Sequence, residues 1–224
     1  MSTVQLQASE LSSRRRPVPV LILALALVAA GGLWTTLQRR AASTRFEAGL
    51  VFVAGACDLS PGVARALGGP LTSADCAAIE RIARAEVVAA FAGLRVDLNA
   101  DPAAFWTVHV RAFVPSRSRT LGAAGASLAF GPLGGRGMVG LMPLTGQALR
   151  YAPSNASRAE IVAGIGRGVG RSVVHEFAHQ IAGGQIDSTD ASTYEYNSVD
   201  RPAQYYGALH WGDAGTRVRS RLGR

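Results

Sequence analysis

The segment Val173-Val174-His175-Glu176-Phe177-Ala178-His179-Gln180-Ile181-Ala182 constrains the fold of this chain more than any other. His175 and His179 stand four residues apart, so on a helix they share one face, one turn from each other. Val173, Val174, Phe177 and Ile181 supply the apolar sides that bury such a helix. The whole stretch from Ser157 to Ala182 reads as helical, with one flaw. Gly164, Gly166, Gly168 and Gly170 each cost about 1 kcal/mol relative to Ala in a helix interior. Either the helix packs tightly against a sheet there, or it starts late with Ser172 as its N-cap. The glycines do not form a phosphate cradle. A P-loop needs a lysine after its last glycine, and all 23 basic residues of the chain are arginine.

Residues 17–37 are the second constraint. They carry no charge, and they lie between Arg14-Arg15-Arg16 and Arg39-Arg40. An apolar stretch of about 20 residues is long enough to cross a bilayer as a helix, and Trp34 falls where an interfacial aromatic belongs. The segment is expected to be an uncleaved signal-anchor. Its main alternative is a signal peptide cleaved after Val28-Ala29-Ala30, and a buried core helix is disfavoured by the flanking arginines. The expected organisation is a cytoplasmic segment 1–16, a transmembrane helix 17–37, a linker 38–48 and one folded domain 49–224. In this reading the domain lies outside the cytosol, membrane-tethered or, in the cleaved case, secreted. Cys57 and Cys76 are the only cysteines, and in an exported domain they are expected to form one disulfide. The alternative is two buried free thiols.

The net charge of +8 raises the question of nucleic acid. Half of the excess sits in residues 1–40, around the apolar leader, where basic residues are expected anyway. The rest is scattered except for Arg217, Arg219, Arg221 and Arg224 in the tail, read as a solvated end. No nucleic-acid partner is expected. With 48% hydrophobic and 17% charged residues, the composition is that of a globular domain, not a disordered one.

Coarse periodicity predicts a strand over 49–56 and a helix from Ser73, as N-cap, to about Gly93. A short strand follows at 94–98, then a half-buried strand over 107–114 with Thr107, His109 and Arg111 on its outward phase. His109 is therefore read as a surface residue, not a ligand. Residues 115–137 read as loop, Met138–Met142 as a strand, and Val199 to Leu222 as a final helix broken near Gly212.

Two imidazoles at i and i+4 can share one divalent cation, typically zinc, at about 2.0–2.1 Å each. Glu176 then stands beside the metal rather than on it, where it can take a proton from water and pass it to a leaving amine. The residues His175, Glu176 and His179 resemble the motif of the zincin metallopeptidases. More loosely, the helix ending at Phe91-Ala92-Gly93-Leu94, the strands Thr107–Val114 and Met138–Met142 and the motif helix resemble the upper half of a metzincin-like domain. That resemblance implies an α+β fold with a small mixed sheet, the motif helix and a C-terminal helix. It also implies zinc as cofactor, a peptide or protein substrate, and Met138–Met142 as the strand at which the substrate pairs. The chain departs from the metzincin pattern, with Ala182 and Gln185 where that signature needs Gly and His, and no methionine follows the helix.

A third ligand must come from Asp187, Asp190, Glu195, Asp200 or His210, with Asp200 and Glu195 favoured equally. The one of these two that does not bind zinc is expected to hold a ligand histidine. Four of the five tyrosines crowd residues 194–206, and Tyr205 and His210 are the candidates to donate a hydrogen bond to an oxyanion. The function read from these residues is hydrolysis of peptide bonds through zinc-activated water. The alternatives are an idle zincin-like domain binding the cell envelope and a membrane-tethered nucleic-acid binder.

Overall fold

The computed structural model describes residues 27–28, 31–34, 46–114, 125–129 and 134–223. Segment 1–16 and most of 17–37 lie outside them. Among the described residues no helix is long and apolar enough to cross a membrane.

Five strands form one mixed sheet: β1 (Phe46–Phe52), β2 (Val96–Asn99), β3 (Trp106–Arg111), β4 (Gly125–Ala129) and β5 (Gly135–Gly140), in the order β2-β1-β3-β5-β4. All neighbours are parallel except β4, which pairs antiparallel with β5 at the edge. Among the described residues from 46 onward the helices are α1 (Pro61–Ala66), α2 (Ser73–Ala90), α3 (Leu141–Tyr151), α4 (Arg158–Ala182), α5 (Ala203–Tyr206) and α6 (Asp213–Leu222). The class is α+β. Alternate residues of the strands, Leu50, Val108, Val110 and Val139 among them, are fully buried with Ile165, Val169, Phe177 and Ile181 of α4 in one core.

Several expectations need correction. Met138–Met142 is not an edge: β5 lies between β3 and β4, and Leu141 and Met142 already belong to α3. The edge strand on this side of the sheet is β4, from a stretch whose glycines and serines read as loop. Small residues are needed in these two strands because α4 lies so close. A Cβ on Gly137 would fall 2.8 Å from Gln180 Nε2, and one on Gly135 2.6 Å from Gln180 Cγ. Thr107 is fully buried rather than outward. The 101–104 turn folds over that face, and the Thr107 hydroxyl donates to the Ala104 carbonyl at 2.8 Å. His109 is half-buried. Helix α2 is capped by Thr72, not Ser73, in a reciprocal capping box with Asp75. Cys57 and Cys76 lie at disulfide distance, Cα to Cα 6.3 Å, and join the segment after β1 to the first turn of α2. The final helical stretch is broken near Gly212 as expected, with α6 starting there, but before the break only α5 is helical.

Helix α4 is one helix of 25 residues, closed at its start by a capping box between Ser157 and Glu160. Its four glycines are explained by helices, not by the sheet. Gly164 and Gly168 face the rings of Tyr206 and Tyr205, whereas Gly166 and Gly170 face α2. A Cβ on Gly170 would stand 2.7 Å from the Ala83 carbonyl oxygen and 2.9 Å from its Cα. Backbone cannot give way as a side chain does, so Gly170→Ala must push the two helices apart. Overpacking of about 1–3 kcal/mol outweighs the propensity gain of about 1 kcal/mol. The expected result is a lower midpoint in urea, and an unchanged or higher midpoint would refute this packing account.

Candidate metal centre

The C-terminal half of α4 carries His175, Glu176 and His179 among residues that are otherwise buried. Gly183 and Gly184 then adopt φ of 63° and 106°, a region open to glycine, and the chain turns back on itself. This reversal brings Asp187 over the two imidazoles. The Nε2 atoms of His175 and His179 are 3.0 Å apart, and Asp187 Oδ1 lies 3.4 Å from the first and 3.3 Å from the second. A triangle of that size leaves a point about 2 Å from all three atoms, the distance of a zinc ligand.

The hydrogen-bond chemistry agrees with this geometry. His175 Nδ1 is 2.9 Å from the Tyr194 carbonyl, which can only accept, so Nδ1 carries the proton and Nε2 turns a lone pair inward. Burial holds the His175 imidazole below its ordinary range and favours the neutral, ligating form. Asp187 Oδ2 accepts from the Gln185 amide, which leaves Oδ1 for the cluster. Among the described residues His175, His179 and Asp187 form a group able to hold a cation. Two imidazole nitrogens and one carboxylate oxygen are a donor set that fits zinc.

Glu176 is 5% exposed, and its Oε2 is buried without a hydrogen-bond partner. Burial pushes its carboxyl up to about 7. The edge strand reaches it directly: a Cβ on Gly125 would stand 2.1 Å from Glu176 Oε1. The Ser127 hydroxyl, two residues on, donates to the Glu176 carbonyl at 3.2 Å. Gly125→Ala should therefore displace the carboxylate while leaving the histidines in place. For a hydrolytic metal centre the expected outcome is unchanged metal content with turnover reduced about tenfold or more, as for a misplaced catalytic group. Full turnover by this variant would mean that the strand does not set the position of Glu176.

The residues favoured as third ligand are placed elsewhere. Glu195 is 1% exposed, and its carboxylate accepts the N–H of Gly212 at 3.0 Å and of Gly215 at 3.2 Å, at the N-terminus of α6. Asp200 accepts from Tyr151 at 2.6 Å and Arg150 at 2.9 Å on the rim of the cleft. Asp190 caps the turn at Ser192. Neither expected oxyanion donor lines the cleft. Tyr205 is fully buried and donates to the Val199 carbonyl, and His210 pairs through its backbone with Ser192 and Tyr194. Tyr194 and Tyr196 line it instead, in a cavity of about 530 Å³ that also contains Gly125, His175, Glu176, His179 and Asp187.

Comparison of the chain with protein-family models, with curated proteins and with solved structures finds no match. The functional reading therefore rests on the site itself. The Tyr194 carbonyl and Gly125 had no signal in the sequence, because each acts through backbone. Asp187 had one: two glycines directly after the motif helix allow an immediate reversal, and the next acidic residue is the one returned to the histidines.

Proposed function

We propose that this chain is a zinc-dependent metallopeptidase of zincin type, with His175, His179 and Asp187 as metal ligands and Glu176 as general base. The observation that carries the reading is the convergence of three ligand atoms within about 2 Å of one point beside a buried carboxylate with an unpartnered oxygen. Zinc held there would supply a Lewis acid, polarising the scissile carbonyl and acidifying a water molecule.

The chain's own residues do the remaining work. Among the described residues no strand pairs with the outer edge of β4, beside Glu176, and an extended peptide can add to it as a further strand. Gly125 lets that edge approach, and the Ser127 hydroxyl ties the strand to the motif helix. Glu176, kept near neutrality by burial, takes the proton of the attacking water and returns it to the departing amine. Tyr194 fixes the tautomer of His175 through its carbonyl. We further propose that segment 17–37 tethers this domain to a membrane, with the catalytic part outside the cytosol.

The test is cleavage of a fluorescent casein by the purified chain after zinc loading. Release of peptides that stops with 1,10-phenanthroline and returns with added zinc supports the reading. A zinc-loaded protein that cleaves nothing would favour an idle envelope-binding domain.

A further inference from the structure

We propose that the inner end of the cleft is a carboxylate subsite, where Arg201 with Arg171 beside it selects peptides carrying an acidic side chain near the scissile bond or a free C-terminal carboxylate. This inference rests on the hydrolase reading above. Both arginines line the same cavity as the metal cluster, yet they are only 5% and 7% exposed. Arg171 is neutralised by Glu86 at 2.9 Å. Arg201 is not: among the described residues no carboxylate lies within ion-pair distance of it.

The guanidinium of Arg201 donates instead to neutral oxygens, the carbonyls of Ala191 and Thr193 and the Gln204 amide, and its Nε is buried without a partner. The Tyr196 ring covers it at 4.9 Å. Burial first, then the neighbouring Arg171, holds its pKa down at about 10. A buried charge without a counter-ion is costly, and its field is focused into the cleft by low-dielectric walls. Asp190 acts on Arg201 only from beyond ion-pair distance and is held by Ser192, and Asp200 is held at the rim by Arg150 and Tyr151. A carboxylate brought by a ligand is the group this wall lacks. The lining here is polar, with Ser172 and Gln204 beside the arginines, so a large apolar side chain gains little.

The test measures binding, not turnover, on zinc-loaded Glu176→Gln protein by fluorescence anisotropy. The probes are N-labelled alanine pentapeptides with Glu, Gln or Lys at the centre and an amidated end, and the all-alanine peptide with a free end. The expected result is that the Glu peptide or the free-end peptide binds about tenfold tighter than the Gln peptide, the weight of one charge-assisted contact. The first of these indicates a side-chain subsite, the second a C-terminal one. In an Arg201→Gln background the advantage disappears, and in Arg201→Lys it persists. Equal binding of all four peptides overturns the proposal, and that comparison needs no substitution at Arg201. A preference that survives Arg201→Gln also overturns it. Discrimination without cleavage by the unmodified chain would sink the hydrolase reading and leave the subsite standing.

Discussion

Asp187→Ala protein is expected to lose its zinc, whereas Glu195→Gln and Asp200→Asn protein keep one equivalent each. Asp187 Oδ1 is the only carboxylate oxygen among the described residues that joins the two imidazole nitrogens. Disturbing a group that merely supports a ligand typically costs about 10–100-fold in affinity, so losing a ligand should cost at least about 100-fold. Glu195 is buried too, but its work is at the start of α6, on the N–H groups of Gly212 and Gly215. Glu195→Gln should therefore lower stability by about 1–3 kcal/mol, the cost of disturbing a buried hydrogen-bonded charge, without changing stoichiometry. Asp200 sits on an exposed pair, and its loss should change stability little. Equilibrium dialysis with a competing chelator separates the three variants. Zinc retained by Asp187→Ala and lost by Glu195→Gln would reverse the assignment.

The second large effect is on turnover. Glu176→Gln should hold zinc as the parent does and hydrolyse peptides about 10²–10⁴-fold more slowly, the usual contribution of a positioned base. The same substitution has an opposite effect on the metal-free fold. The folded-state pKa of Glu176 is raised to about 7 by burial, above the ordinary value of 4.5. Between those values the folded chain holds a proton that the unfolded chain has released, so stability falls as pH rises from about 4.5 to 7. Above pH 7 the full penalty is present, on the order of 3 kcal/mol. Metal-free Glu176→Gln protein should therefore be more stable than the parent at pH 8, with the gap closing towards pH 4.5. Urea unfolding in the presence of chelator at the two pH values checks the sign. A parent more stable than the variant at pH 8 would show that Glu176 has found a partner.

The same contrast between local and distant causes explains which features were legible in the sequence. The motif helix could be read because period and capping are local: Ser157 and Glu160 close its start, and His175 and His179 are one turn apart wherever the helix packs. The α2 helix and strands β1, β2 and β3 were legible for the same reason, within a few residues at their ends. β4 and β5 were not, or only in part. Their glycines lower strand propensity, and their value appears only when Gln180 and Glu176 are seen to occupy the missing side-chain space. Four glycines looked like a weakness in α4 until Tyr205, Tyr206 and the α2 backbone were found against them. Asp187 lies in a loop without periodicity, where the reversal at Gly183 and Gly184 is the one signal that it returns to the helix. Glu195 and Asp200 had better-looking neighbourhoods, but each proved to be paired elsewhere by residues far away in the chain.

Zinc titrated into the metal-stripped domain, followed by X-ray absorption at the zinc edge, shows whether the two imidazoles and Asp187 hold an ion together. One ion per chain is expected, coordinated by two imidazoles and carboxylate oxygen, with the signal lost in Asp187→Ala. Failure of the folded chain to bind any ion, or a bound ion with no histidine in its shell, would rule this metal centre out.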